Sequence, residues 1–246
     1  MSTAWSSEGV VLSVRRHGEV GAVVELFTAG LGRVGGYVHG GGARKMAAVL
    51  QAGNLVRVDW KARLSDQLGH FSPIELVEPH AARLLHDPAA LAGLSSAAAL
   101  IRKSTAERQP YAGLYEALSV LIDALAEPDL IGPVYTRFEL GLLAALGFGL
   151  DFSVCAVTGV REDLAFVSPR SGRAASRQAG APYADKLMRL PPYLVTAADA
   201  IAPGDVADAF AIAGFFLERR VFDPLGEGLP DQRRRLIEVL GHAGRL

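Results

Sequence analysis

The stretch NLVRVDW, residues 54–60, indicates which fold class the first third of the chain adopts. Val56, Val58 and Trp60 fall on one face of an extended strand, and the residues between them, Arg57 and Asp59, fall on the other. Apolar and polar residues that alternate with a period of two are typical of a strand with one buried face. We therefore predict that residues 54–60 form a half-buried β-strand.

Short runs of β-branched and aromatic residues lie on both sides of this strand, separated by Gly, Asn, Asp or Pro. The four runs are EGVVLSVRR (8–16), GAVVELFT (21–28), RVGGYV (33–38) and HFSPIELV (70–77). Together with residues 54–60 they make five strands with no helix predicted between them. The pattern predicts an N-terminal five-stranded OB-type β-barrel, which we assign to residues 1–80.

Beyond the fifth run the apolar residues recur at helical spacing. Asp87 followed by Pro88 is a helix start, because a capping side chain precedes proline at the first helical position. The helical period fades into turn residues at 151–189 and returns afterwards. The chain is therefore predicted to be an α+β protein, with a helical domain at residues 81–246 that contains a loop-rich insertion at 151–189.

Composition limits the classes of protein to which the chain can belong. Half of its 246 residues are apolar, and its formal net charge is −1. No run approaches the ~18 apolar residues of a membrane span, and no secretory signal opens the sequence, so we expect a cytoplasmic protein with no membrane partner. A single cysteine, Cys155, excludes an internal disulfide framework and a metal site built from cysteines alone.

The motifs of common enzymes are missing from the sequence. The stretch HGGGARK (39–45) places glycines near Lys45, but a phosphate-binding Walker loop needs a glycine directly before the lysine and Ser or Thr after it. There is no G-x-S-x-G elbow and no H-E-x-x-H pair. We expect no catalytic residue, no metal and no cofactor. An enzyme that binds a phosphate-bearing substrate at the loop from Gly40 to Lys45 is the alternative.

Basic residues are concentrated within the predicted barrel. Between Leu26 and Ser65, six basic residues face a single acid, which gives this segment a local net charge of +5. Single strands bind OB-folds through such basic grooves, with aromatic rings as stacking platforms. The alternative is that the charges form a solvated face and the rings belong to the core, which we favour for Trp60 and leave open for Tyr37. The candidate DNA-binding residues are Arg33, Tyr37, Arg44, Lys45, Arg57, Lys61 and Arg63.

Several segments, taken in order, carry a resemblance to a known family. The run from EGVVLSVRRHGEV to GGGARK (8–45), followed by VLQAGNLVRVDW (49–60), resembles the N-terminal barrel of the bacterial RecO family of DNA repair proteins. RFELGLLAALGFGLDFSVCAVTG (137–159), followed by SPRSGR (168–173) and LPPYL (190–194), is similar to the helical domain of that family. The similar segments are spread over nearly the whole chain.

The resemblance implies a mediator of recombinational repair that has no catalytic activity. RecO-like proteins bind single- and double-stranded DNA and anneal complementary strands. They contact the acidic, hydrophobic C-terminal tail of single-strand DNA-binding protein, and with RecR they help RecA to load onto coated strands. The resemblance thus implies DNA, RecR and that tail as direct partners, RecA as an indirect one, and a cytoplasmic location that is nucleoid-associated when the protein is on DNA.

One departure from the family concerns metal. Many relatives carry a four-cysteine zinc module where this chain has CAVTG, and here Thr158 stands at the position of the second cysteine. A closed zinc site needs four nitrogen or sulfur ligands, so the single thiol of Cys155 cannot form one. We expect the insertion to be zinc-finger-like in its turns but to lack metal ligands, with Cys155 as a small buried hydrophobe.

The motif RFELGLL (137–143) carries a candidate partner site. Phe138, Leu142 and Leu146 are predicted core residues, and Arg137 beside them either pairs with an acid or lines the rim of an apolar pocket. A pocket with a cationic rim is what an acidic, hydrophobic tail requires. The candidate partner-binding residues are Arg137, Arg219 and Arg220.

Overall fold

A computed structural model describes residues 3–63, 68–196 and 201–246 of the chain. By its internal contacts the chain divides into two compact units, Met1–Pro128 and Asp129–Leu246. No helix among the described residues has the length and apolar content needed to cross a bilayer.

The first unit is built on a closed β-barrel with the strand order β1-β2-β3-β5-β4. All neighbouring strands are antiparallel except β3 and β5, which close the barrel through a short parallel pairing. This confirms the five-stranded OB-type barrel predicted from the sequence. Its strands are β1 (Thr3–His17), β2 (Gly21–Thr28), β3 (Gly32–Val38), β4 (Leu55–Ala62) and β5 (Gly69–Glu78).

The barrel core follows from the alternation along its strands. Val56, Val58 and Trp60 are all buried, which confirms the strand predicted from NLVRVDW and places Trp60 in the core. Trp5 stacks on Trp60 with ring centroids 5.4 Å apart. A Cβ on Gly69 would lie 2.2 Å from the Trp60 ring, so only glycine lets the strand pass this close beneath the indole.

A short helix, α1 (Arg44–Ala47), lies between β3 and β4. We predicted a loop here, because four residues are too few to show a helical period in the sequence. Met46 and Val49 pack against the barrel core, and Leu50 is buried within it. The helix and the residues just after it thus place apolar side chains toward the barrel, while Arg44 and Lys45 are exposed.

Three helices complete the first unit. The side chain of Asp87 accepts a hydrogen bond from the backbone N–H of Ala89, which confirms the predicted helix start. Phe27 of the barrel packs against Tyr115 of the last helix. By contacts these helices therefore belong with the barrel, and the functional division at residue 80 stays a prediction. They are α2 (His80–Leu84), α3 (Pro88–Ser104) and α4 (Ala112–Ala124).

The second unit combines helices with a small three-stranded sheet of order β7-β6-β8. The sheet occupies the segment predicted as a loop-rich insertion at 151–189. A π-helical turn, Glu218–Phe222, follows α7. The elements are α5 (Ile131–Ala145), β6 (Leu164–Val167), β7 (Ala174–Ser176), α6 (Arg177–Gly180), β8 (Met188–Arg189), α7 (Asp205–Leu217) and α8 (Asp231–His242).

Candidate nucleic-acid interface

The strand register aligns five side chains in one row across the outside of the barrel. Arg15 of β1 is paired with Val23 of β2, and Val23 with Tyr37 of β3. Tyr37 is paired with His70 of β5, and His70 with Lys61 of β4. We call these five residues the barrel row. It crosses all five strands and spirals along the barrel, because Lys61 is paired in turn with Ala4 of β1, eleven residues before Arg15.

The barrel row has a cation at each end and aromatic rings in the middle. Neighbouring strands lie about 4.8 Å apart, so the four steps from Arg15 to Lys61 cover roughly 19 Å. Arg15, His70 and Lys61 are exposed, and Tyr37 is half-buried. Within the part of the chain that the structure describes, neither Arg15 nor Lys61 has an ion-pair partner. The cations therefore remain available to phosphate groups.

Two further rings stand beside Tyr37. The centroid of the His17 imidazole lies 6.0 Å from that of Tyr37, and the centroid of His39 lies 6.5 Å away, both in edge-on arrangements. OB-folds bind oligonucleotides on the face of their second and third strands, and Val23 and Tyr37 lie on those strands here. Rings beside cations on this face give the pattern by which OB-folds hold single strands: stacked bases and neutralised phosphates.

Of the cations predicted to bind DNA, two lie on or near the barrel row and two lie together on α1. Lys61 belongs to the row, and Arg63 is exposed just beyond the end of β4. Arg44 and Lys45 are exposed side by side on α1, one residue after the glycine run Gly40–Gly42. These two form a second cationic group of the first unit.

Two predicted cations are held by carboxylates instead. Arg33 forms a 3.0 Å ion pair with Glu25 and also donates to the carbonyl oxygen of Thr105, and its side chain is 19% exposed. Arg57 forms a 2.6 Å ion pair with Glu8. Each charge is already compensated within the barrel unit, so these two arginines offer less to a phosphate than Arg15 or Lys61.

Sequence reasoning missed Arg15, His17 and His70. A signal for the first two was present, because the run VRRH ends β1 and its alternation puts Arg15 and His17 on one face. The basic segment predicted from the sequence begins at Leu26 and does not include this run. His70 carried no such signal, because it joins the row only through the parallel pairing that closes the barrel.

The three candidate partner-binding arginines of the second unit pack on aromatic rings. Arg137 lies 5.6 Å from the ring centroid of Tyr193 and donates to the carbonyl oxygen of the same residue. It therefore rests on the LPPYL segment, and it has no acidic partner among the described residues. Arg219 and Arg220 belong to the π-helical turn and lie over the rings of Phe215 and Phe216, at 5.8 and 4.5 Å respectively.

Arg220 also links separate segments of its unit. It donates to the carbonyl oxygens of Phe148 and Ser171, at 3.2 and 3.1 Å. Arg219 has no hydrogen-bond or ion-pair acceptor among the described residues. Of the three, Arg219 is therefore the cation whose donors remain free for a partner.

The insertion does not fit a zinc ion. Cys155 is 1% exposed, as expected for a small buried hydrophobe. Burial raises the pKa of its thiol, but hydrogen bonds from the Thr158 side chain and from the backbone N–H groups of Ser176, Thr158 and Val157 outweigh burial and lower the pKa to about 6. Among the described residues, no group of three or more His, Cys, Asp or Glu is placed to hold a metal.

Comparisons with known proteins agree over both units. The family model described as "Recombination protein O N terminal" matches residues 1–80, and the one described as "Recombination protein O C terminal" matches residues 85–227. A protein of Phenylobacterium zucineum named DNA repair protein RecO is 48% identical over 98% of this chain and 99% of its own length. Proteins of the same name from Caulobacter sp. and Rhodospirillum rubrum are also 48% identical, over 98% and 96% of the chain and 99% and 96% of their own lengths. The chain therefore belongs to the RecO family of DNA repair proteins.

Proposed function

We propose that the chain binds single- and double-stranded DNA and anneals complementary strands. With RecR, it would help RecA to load onto DNA coated by single-strand DNA-binding protein. The observation that carries the proposal is the barrel row, in which Arg15 and Lys61 flank the rings of Tyr37 and His70. Membership of a family of DNA repair proteins supports it independently.

The barrel row supports binding without strict sequence preference. Arginine and lysine neutralise phosphates whatever the sequence, and every base offers a face on which an aromatic ring stacks. The exposed pair Arg44 and Lys45 is a second group of phosphate-seeking charges on the same unit. Two cationic groups suit annealing, because two backbones that repel one another must be neutralised while their bases pair.

The remaining parts of the proposal concern partners and place of action. We assign the acidic, hydrophobic tail of single-strand DNA-binding protein to the second unit, where Arg137, Arg219 and Arg220 pack on aromatic rings. RecR is the second protein partner, and RecA is affected indirectly. The chain would act in the cytoplasm, on the nucleoid when bound to DNA. It would act without catalytic residues or a cofactor.

A salt titration of oligonucleotide binding tests the barrel row. We expect wild type to bind a fluorescent single strand with an affinity that falls steeply with salt. Replacing Arg15 and Lys61 by glutamine should lower the log–log salt slope by about 0.7 for each phosphate that is no longer neutralised. Replacing Tyr37 by alanine should weaken binding about fivefold or more at constant slope, since one stacked base contributes roughly 1–3 kcal/mol.

The matched control is Arg57→Gln, because Arg57 lies on the same strand as Lys61 but is paired with Glu8. It should leave the salt slope unchanged. Equal weakening in Arg57→Gln and Lys61→Gln would contradict a defined row. Displacement of the oligonucleotide by ATP would favour the alternative, an enzyme with a phosphate-bearing substrate at the loop from Gly40 to Lys45. Annealing of two complementary labelled strands, followed by energy transfer, should fall in parallel with binding.

A further inference from the structure

A pocket of about 300 Å³ opens on the outer face of the barrel beside the barrel row. Arg15 and Val23 line the pocket and also belong to the row. The other lining residues come from β1, β2, β3, the residue before β5, α3 and the segment after α3, all within the first unit. A strand held along the row would therefore pass the mouth of this pocket.

The pocket owes its depth to Gly35 of β3, whose register partner on β2 is Glu25. A Cβ on Gly35 would meet Leu68 at 3.5 Å and the Oε1 atom of Glu107 at 4.0 Å, which are ordinary contact distances. The pocket thus has apolar walls formed by Val23 and Leu68. The Glu107 carboxylate lies near its floor, which Gly35 leaves without a side chain. A flat ring fits such walls better than a bulky aliphatic group does.

The two carboxylates of the pocket differ in what they can still bind. Glu25 is occupied, since Oε2 accepts from Ser13 at 2.6 Å and from Arg102, and Oε1 accepts from Arg33 at 3.0 Å. Burial raises the pKa of Glu25, but these hydrogen bonds and charges outweigh burial and lower it, so the group remains ionised at neutral pH.

Among the described residues, the Glu107 carboxylate accepts no hydrogen bond from another residue of the pocket. Its ion pair with Arg108 spans 3.8 Å, which is beyond hydrogen-bond distance, and the Glu107 side chain is 52% exposed. Arg15 and Arg102 line the same pocket, and the guanidinium group of Arg102 is oriented by its bond to Glu25. The lining of the pocket therefore combines two carboxylate acceptor oxygens with cationic donors.

We propose that this pocket binds a guanine base of the DNA strand that lies along the barrel row. Guanine has two adjacent donors, N1–H and the 2-amino group, which match the two oxygens of Glu107. Its O6 and N7 atoms are the acceptors that arginine binds most often in nucleic acids, and here Arg15 and Arg102 supply the donors. Adenine and cytosine place an acceptor next to their amino group, and thymine has one donor between two carbonyls. None of these three bases can donate two adjacent hydrogen bonds to a carboxylate.

The inference rests on the proposed function, because it needs a strand on the row. It adds that a protein which binds DNA of any sequence has one position with a base preference. The test compares three oligothymidylates of about twelve nucleotides, a length within the span that one OB-fold covers. The first is unmodified, the second has one central guanine, and the third has inosine there, which lacks the 2-amino group.

Fluorescence anisotropy should show that the guanine strand binds wild type about fivefold or more tightly than the unmodified strand. Inosine should lose most of this gain. Glu107→Gln, which replaces one acceptor by a donor, and Gly35→Leu, which fills the pocket, should each abolish the gain while still binding the unmodified strand. Glu116→Gln, a change of an exposed carboxylate on α4 that does not line the pocket, is the control and should keep the gain.

Equal affinity of wild type for all three strands would contradict guanine binding in the pocket, but it would not contradict the proposed binding of DNA. A gain that persists in both Glu107→Gln and Gly35→Leu would also contradict guanine binding in the pocket, because the base would then be recognised elsewhere. If wild type bound none of the strands, the proposed function would fail and the pocket with it.

Discussion

At the scale of single residues, two neighbouring arginines show how burial decides the role of a charge. Arg233 of α8 forms a bidentate pair with Glu139 of α5, at 2.7 and 2.9 Å, and also donates to the carbonyl oxygen of Phe210. Its side chain is 7% exposed and that of Glu139 is fully buried. Burial raises the pKa of Glu139, and the Arg233 charge opposes that rise. Arg234, the next residue, is 72% exposed.

We expect Arg233→Ala to lower the free energy of unfolding by about 3–5 kcal/mol, because it leaves the Glu139 carboxylate buried without a counter-charge. Arg234→Ala, which removes exposed pairs with Asp231 and Glu238, should cost less than about 1 kcal/mol. Urea unfolding followed by circular dichroism measures both. Equal destabilisation of the two variants would show that the buried pair is not what joins α5 to α8.

The same contrast explains which site residues the sequence could predict. The lysine at position 61 stays free, while Arg57, four residues before it on the same strand face, is paired with Glu8. Glu8 lies 49 residues away in the sequence, so no local pattern could reveal the pairing. Sequence counts locate basic segments, but the partners of each charge depend on the closed barrel.

At the scale of elements, the strands were predictable and their register was not. Alternation in NLVRVDW indicates which side chains point inward, and the structure confirms it. The alignment of Arg15 with Lys61 across five strands depends on a bulge between Val11 and Ser13 and on register shifts between β4 and β5. A shift of one residue exchanges the two faces of a strand, and nothing local in the sequence fixes such shifts.

Backbone hydrogen bonds hold the insertion at 151–189 together. Its three strands are joined by backbone hydrogen bonds, and others from Cys155 N–H to the Val160 carbonyl and from Ala156 N–H to the Ala174 carbonyl hold its turns. Because one thiol cannot complete a tetrahedral site, we expect less than about 0.1 zinc per purified chain by elemental analysis. A chelator should leave the melting temperature unchanged.

Elemental analysis that found about one zinc per chain after dialysis against a chelator would contradict this prediction. The thiol itself offers a control on the folded state. Cys155 is 1% exposed, so an alkylating reagent should modify it in urea and hardly at all in native buffer. Fast alkylation of the native chain would mean that the insertion opens in solution.

At the scale of the whole molecule, the two units carry separate candidate surfaces. The barrel row and its pocket lie in Met1–Pro128, and the arginines that pack on aromatic rings lie in Asp129–Leu246. Relatives named DNA repair protein RecO match both units nearly end to end. If the proposed function holds, a variant in one unit should change binding of DNA or of the protein partner without changing the other.

Binding of an acidic peptide with an aromatic end tests the second unit independently of DNA. Arg137 and Arg220 already donate to carbonyl oxygens of their own unit, whereas Arg219 has no such acceptor among the described residues. A charge-assisted hydrogen bond contributes roughly 1.5–3 kcal/mol, so Arg219→Ala should weaken the peptide complex about tenfold or more in a calorimetric titration. Added salt should weaken the wild-type complex without abolishing it, because apolar contact with the half-buried Phe215 is not screened.

Arg234→Ala is the matched control, an exposed arginine of the same unit. Weaker peptide binding in Arg137→Ala, with Arg219→Ala unchanged, would move the site to the ring of Tyr193.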